Sequence, residues 1–546
     1  MKRLIIITCL MAVVYGCGST DPAAFDYPDL PATFQGTVGS YCDLTGYDSI
    51  RVQCFSLVVG LHNTGSSECP PSAREYIVKH IRSLRDSGML PRKYDDLTAG
   101  EILSGRDTAV VEVTGLVPAG APKGERFDVE VLVAEGTQTT SLQSGWLIPS
   151  ELRVVVGRAT GGQLVRSITA RASGPIFINP LPISTMTQRR SDPRRGIVLG
   201  GGVSSADRVI TLALLRPDFR NAQQIQKRLN NRFAEAGGRV VTEATREYIN
   251  LQVPPSYRGD YNHFISLVWG LYMQESQDFV DNKLRELGKL AREPDQDFEM
   301  ISLAWEAIGR PALGSLQILY REPDIDEAGF HAAQTAVRLG DNRALNIMID
   351  LAAEDNHRFQ LEAIKILSDH YTDARVQSSL RKLINHSNSQ IKMLAYEGLR
   401  NTLNLTIETT AVSNEFKLEV VDSPGENVIL IWATNDPRIV IFGKEIRCRR
   451  NVYFESNTGE LTINAGVEDR RLTLTRKLPM SQDYMSQKSP FGVSELVTVL
   501  ALPWQSILDE KPRAPGLNFS EIVGILYQLC DEEVIEAQFR IHRVVN

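Results

Sequence analysis

No Cys-x-x-Cys pair occurs in the chain, which removes the usual zinc and thioredoxin-type sites. No His-Glu-x-x-His sequence places two metal ligands on one helix face, and the eight histidines are scattered. A phosphate-cradling G-x-x-x-x-G-K-[ST] loop is missing. Gly200-Gly201-Gly202 runs into Val203-Ser204-Ser205 without a lysine and reads as a glycine turn. There is no G-x-S-x-G elbow for a serine nucleophile. These absences argue against an enzyme and imply no cofactor and no metal. Charge of one sign is scarce too: 59 basic residues against 66 acidic ones leave a net charge of -7, with the signs interspersed. Nucleic acid, which wants a concentrated positive surface, is a poor match as partner. Beyond the first residues no stretch is apolar enough to span a membrane as a helix.

What is present describes a folded, exported protein. Hydrophobic residues make up 42% and charged residues 23% of the chain, as in ordinary globular proteins. At 546 residues it is too long for one core and should divide into roughly three or four domains. Lys2 and Arg3 precede the apolar run Leu4 to Val14, too short for a transmembrane helix and right for a signal peptide. The run ends in Val14-Tyr15-Gly16-Cys17, which resembles a bacterial lipobox. That resemblance implies cleavage after residue 16 and acylation of Cys17, with Gly18 rather than Asp next to it favouring the outer membrane. The alternative is an ordinary signal peptide with an unmodified cysteine. Five cysteines follow Cys17, namely Cys42, Cys54, Cys69, Cys448 and Cys530. An odd number leaves at least one thiol unpaired or bonded between chains.

The mature chain changes texture three times. Residues 17–38 are rich in Pro, Ala, Asp and Thr and read as a tether. Residues 39–275 mix short β-runs with helices. Strands are expected at 51–61, 109–117, 127–134, 145–148, 153–156, 164–170, 209–215 and 247–253. Helices are expected at 72–86 and 218–235, the second capped by Asp218 with Phe219, Ile225, Leu229 and Phe233 on its apolar side. Residues 276–402 turn helical, and small-to-aliphatic segments recur about every thirty residues. They are Ala304 to Ile308, Ala333 to Val337, Ala363 to Leu367 and Ala395 to Leu399. This resembles a short HEAT-type α-solenoid, a plain helical bundle being the alternative. Residues 403–546 return to strands and end in a helix near 519–530 and an extended run at 537–545. The fold class expected is α+β: β-rich domains plus an α-solenoid region.

Three blocks of the first half carry a family resemblance. Leu57-Val58-Val59-Gly60-Leu61-His62-Asn63-Thr64-Gly65 is an apolar strand, Gly-Leu, a polar pair and Thr-Gly. Ala109 to Val117 leads through Pro118 and Gly124 to Asp128–Val133 and then Ser141-Leu142-Gln143-Ser144-Gly145. Pro217-Asp218-Phe219 opens a segment with Ala222, Ile225 and Asn230. In this order the blocks resemble the bacterial flagellar P-ring protein family over about residues 40–255. Arg438 to Phe442 with Asn451-Val452, and Leu517 to Ile541, resemble that family's late strand pair and terminus more faintly. The resemblance implies a periplasmic protein that assembles with itself into a ring around the flagellar rod, possessing neither catalysis nor cofactor. Flagellar rod and L-ring proteins would be its partners and the basal body its location. A lipobox and helical repeats depart from the family, so a lipid-anchored envelope scaffold reusing the P-ring-like domain is the second reading. An envelope hydrolase would need a polar site that the sequence does not offer.

Few individual side chains stand out. His62 lies in the first motif, where turn polarity accounts for it equally well. Arg189, Arg190, Arg194 and Arg195 form the one dense positive patch, a candidate contact for an acidic neighbour or a solvated loop. Cys448 and Cys530 lie in segments that would pair in the family-like fold. They are either a disulfide or two inert buried thiols.

Overall fold

A computed structural model describes residues 31–156, 163–164, 167–181, 192–235, 238–322, 325–400, 402, 407–412, 415–477, 483–505, 512–514 and 516–542. Cys17, Arg189 and Arg190 lie outside the described residues.

Alternation builds the first unit. Along the strand Ile50–Val59, Val52, Cys54 and Val58 point to one face and Leu57 and Val59 to the other, all buried. A strand buried on both faces needs two covers. Inside, Ile50–Val59, Thr108–Val117, Arg126–Val133, Arg195–Ser204, Ala170–Pro175 and Trp146–Val156 pair antiparallel in that order. The last returns to the first through Val52↔Val154 and Val58↔Leu147, so the sheet closes into a barrel without open edges. Outside, the helix Pro71–Asp86 lays Ala73, Ile77, Ile81 and Leu84 over Leu57 and Val59. The short helix Ala99–Ser104, started by a capping box between Thr98 and Glu101, completes that layer.

Two expectations fail here. The strands expected at 145–148 and 153–156 are one strand, Trp146–Val156. Gly200-Gly201-Gly202 is not a turn but the middle of the strand Arg195–Ser204. A Cβ on Gly202 would stand 2.5 Å from the Phe127 ring, and one on Gly115 2.6 Å from it. Glycine on two strands thus makes room for one buried aromatic, so these glycines serve packing rather than chain reversal.

The second unit is a four-stranded antiparallel sheet in the order Cys42–Thr45, Ile210–Leu214, Tyr248–Leu251, Val241–Ala244. Helices Phe219–Phe233 and Tyr261–Trp269 share its core. Asp218 caps the first helix by accepting from the Arg220 and Asn221 amides at 2.7 and 3.4 Å. Ile225, Leu229 and Phe233 are buried as expected, but Phe219, the first residue of the helix, is 58% exposed.

Eight helices follow: Gln277–Leu290, Phe298–Ile308, Leu313–Tyr320, Glu327–Arg338, Asn342–Ala353, Gln360–Asp369, Ala374–Leu383 and Ser389–Leu399. Ala304, Ala333, Ala363 and Ala395 each sit fully buried on alternate members, where a methyl lets neighbouring helices approach closely. Side chains tie one pair to the next. Tyr320 Oη donates to Asp341 at 2.6 Å, and Arg375 donates to Asn342 and Asn346 at 2.7 and 3.0 Å. Asp297, Asp326, Asp341, Asp373 and Asn388 cap helices in this stack.

The C-terminal part centres on a mixed five-stranded sheet in the order Ile407–Val412, Phe416–Val421, Arg438–Phe442, Val428–Trp432, Gln538–His542. Of its three inner strands, Val428–Trp432 and Arg438–Phe442 are buried at every residue. Val421, Val428, Leu430, Trp432, Val440 and Phe442 join the core of the helical stack. On the opposite face, Leu418, Ile429, Ile431, Ile439 and Ile441 meet helices Val493–Ala501 and Phe519–Asp531. Val452–Glu455 belongs to a separate four-stranded antiparallel sheet, so it does not pair with Arg438–Phe442 as the late strand pair would require. The class is α+β with a helical region, as expected. Among the described residues no helix is long and apolar enough to cross a membrane.

Candidate functional site

The motif residues converge. Leu61, fully buried, follows the first barrel strand by two residues, and Asn63 adopts φ 63° in the turn. Thr64 then reaches across: its Oγ1 donates to Ser141 O at 2.8 Å, and its carbonyl accepts from Thr140 N at 2.8 Å. Gly65 has no room for a side chain, since a Cβ would stand 2.1 Å from Thr108 O. Gly145 is equally constrained, its Cβ position lying 2.5 Å from Val58. Leu142, fully buried, anchors the second loop in the barrel core. The Gly-Leu…Thr-Gly and Ser-Leu-x-x-Gly sequences are therefore two halves of one loop cluster at an end of the barrel.

That cluster meets the C-terminal part. Ser144 Oγ donates to Glu521 Oε1, and Ile178 N donates to Ser520 Oγ at 3.0 Å. Phe177 packs on Phe519 with ring centroids 5.6 Å apart. Between the two parts runs a cleft of about 700 Å³ whose polar lining includes Gln143, Glu460, Arg476 and Glu521. Glu521 is committed, because its other oxygen accepts from the Asn518 amide at 2.8 Å in a capping box. Burial pushes the Glu460 carboxyl above its ordinary range, while His62 and Arg476 pull it down. His62 thus acts electrostatically on a carboxylate some four hundred residues away in the chain, an influence without any local signature in the sequence.

Two predictions arise from this junction. The folded state binds the Glu460 proton more tightly than the unfolded chain does. The group therefore costs stability above its raised pKa, and that cost fades as pH falls through it. Glu460→Gln should raise the urea midpoint at neutral pH and approach the parent below about pH 3, under the ordinary carboxylate value, where the carboxyl is protonated in folded and unfolded chain alike. An identical shift at both pH values would contradict this. Gly200, at φ 57°, lies against Asn435, whose Cβ would be 2.4 Å from an added methyl. Gly200→Val should cost about 1–3 kcal/mol, and limited proteolysis should then cut between barrel and C-terminal part. Unchanged stability would mean that the two do not dock there.

The helical stack is held at both ends. At its start Glu306, 5% exposed at its side chain, contacts His263 Nε2 at 3.0 Å and Arg338 Nη1 at 3.5 Å, and its carbonyl accepts from Arg232 at 3.0 Å. At its end Tyr396 Oη donates to Glu419, which also receives Arg438. Arg400 lies over the Trp432 ring at 4.5 Å, and His542 stacks on that ring at 3.9 Å. Buried polar groups need such partners, and here the partners come from different units.

The arginine patch is only partly described. Arg194 and Arg195 are exposed, and Arg195 is engaged with Glu130 at 3.0 Å. Cys448 and Cys530 are free thiols in the structure and share one core, with Cys448 in a bridge to Ile535, five residues beyond Cys530. Burial pushes both thiols up to about 12, and Cys530 adds to the shift of Cys448. Among the described residues no group of three His, Cys, Asp or Glu side chains could hold a metal ion.

A family model described as flagellar P-ring protein matches residues 38–280. Residues 38–280 resemble the flagellar P-ring protein family. The P-ring-like span contains the barrel, the loop cluster and the four-stranded unit, and it stops just inside the helix Gln277–Leu290. Curated flagellar P-ring proteins agree. That of Nitratidesulfovibrio vulgaris is 26% identical over 249 residues, covering 42% of this chain and 61% of the relative. That of Aquifex aeolicus is 29% identical over 231 residues, covering 41% and 56%. That of Helicobacter pylori strain J99 is 22% identical over 249 residues, covering 45% and 65%. The chain thus spans less than two thirds of the length of these relatives.

Proposed function

We propose that the chain is a structural component of the bacterial flagellar basal body, a P-ring-like protein that assembles with itself around the rod in the periplasm. One observation carries the reading: the loop cluster that joins the two motif blocks lies wholly inside the P-ring-like span, and its residues are spent on packing and docking. Rod proteins would contact the bore of the ring, and L-ring proteins its outer-membrane side. The protein would act through its surfaces, with no cofactor and no catalytic residue. Cys17 would carry lipid and hold the chain at the outer membrane; of the expected tether 17–38 only the residues before 31 are left for that role, because Phe34, Thr37 and Val38 are buried in the folded part. Residues 276–402 would be a HEAT-like stack inserted into a P-ring-like framework, which is fainter at 404–546. Deleting the gene should abolish swimming, and a plasmid copy should restore it. Normal motility of the deletion strain would defeat the proposal.

A second reading, a lipid-anchored envelope scaffold, draws on the helical stack, whose two clamped ends suit a rigid docking surface. Under it the deletion strain would swim, and the chain would purify with another envelope protein.

A further inference from the structure

The central sheet of the C-terminal part has an unusual border. Ile407–Val412 pairs with Phe416–Val421 at all six residues, yet Glu408, Thr409, Thr410 and Ala411 are exposed, so the strand buries neither face at its middle. Its outer edge has no partner among the described residues. Edge strands are usually blunted by lysine, proline or a bulge. This one, Ile-Glu-Thr-Thr-Ala-Val, has none of these and is rich in β-branched residues. Gln538–His542 forms the sheet's opposite border and is likewise unpaired on its outer side among the described residues.

The directions of the two borders match. Ile407–Val412 is antiparallel to Phe416–Val421, which is parallel to Arg438–Phe442. Val428–Trp432 is antiparallel to Arg438–Phe442, and Gln538–His542 is parallel to Val428–Trp432. Both borders therefore run the same way, and one copy's trailing edge can extend another copy's sheet in parallel. Glu408 and Arg540 are the single formal charges of the two strands, opposite in sign and without an ion-pair partner among the described residues, so encounter meets no like-charge penalty. A contact between two different edges is heterologous, and such contacts close into rings when the rotation per copy allows it.

We infer that a second copy of this chain seats its strand Gln538–His542 in parallel along Ile407–Val412, making a sheet continuous across neighbours. The inference rests on the ring reading and supplies its subunit contact. Ile407 and Val421 face the helical stack, as do Leu430 and its partner Arg540, so Thr409, Ala411 and Arg540 share that face of the joined sheet. Two double variants, Thr409→Cys with Arg540→Cys and Ala411→Cys with Arg540→Cys, cover neighbouring registers at distances a disulfide can bridge. After mild oxidation of full-length protein, at least one pair should give a reducible ladder of dimers, trimers and larger species, absent from each single variant. If sedimentation shows oligomers but neither pair gives a ladder, the edge contact is wrong and the ring reading survives. If parent and variants are folded by circular dichroism and sediment only as monomers, both fall.

Discussion

Arg438→Ala is expected to cost about 3–5 kcal/mol, the usual consequence of leaving one member of a buried ion pair uncompensated. Arg438 and Glu419 have side chains 6% and 1% exposed and meet at 2.5 Å. Asp436 takes the other end of the guanidinium, and Tyr396, from the last helix of the stack, hydrogen-bonds Glu419. Burial alone would pull the Arg438 guanidinium down, but Asp436 and Glu419 hold it above its ordinary value. Burial and the Glu419 charge push the Tyr396 hydroxyl well above its own. The network joins two units, so its loss should do more than lower the denaturation midpoint: the helical stack should melt ahead of the C-terminal sheet. Arg438→Met with Glu419→Leu, which removes both charges and keeps volume, should recover much of the loss. A single-variant cost below about 1 kcal/mol would show that the two units do not depend on this pair.

Cys448 and Cys530 are free thiols in the structure, and bonding them would have the second large effect. A disulfide closing a loop of this length stabilises by about 3–5 kcal/mol in the chain-entropy account. With both folded thiols pushed up to about 12, almost no thiolate is available near neutral pH. The bond should therefore form before the core closes, by exchange with an oxidised dithiol carrier that accepts the two electrons while two protons leave. Protein taken from an oxidising compartment, unfolded and alkylated without reductant, should escape labelling at both positions, and Cys448→Ser should lower stability by the amount given. Alkylation of both would identify two inert buried thiols instead. Cys42, Cys54 and Cys69, free thiols like Cys448 and Cys530, have no part in this prediction.

Local chemistry made some of this fold legible. Asp218 before Phe219 signals a helix start because its carboxylate meets the first free amides, and the alanines of the helical segments mark close helix contacts. What depended on distant partners stayed hidden. The triple glycine looks like a turn until Phe127 is placed over it. Barrel closure rests on Ile50–Val59 meeting Trp146–Val156, about a hundred residues on. Helix Tyr261–Trp269 is only nine residues long, too short for its spacing of apolar residues to reveal it. In the candidate site, both loop motifs were readable, whereas their docking to Ser520 and Glu521 was not, since a serine and a glutamate at a helix start first signal a cap.

Imaging basal bodies isolated from cells whose only copy of this chain carries an electron-dense tag puts the ring reading to its most direct test. A closed circle of regularly spaced tags about the rod, at the level of the periplasm, is the expected picture. Basal bodies with complete rods and rings but no tag would contradict it.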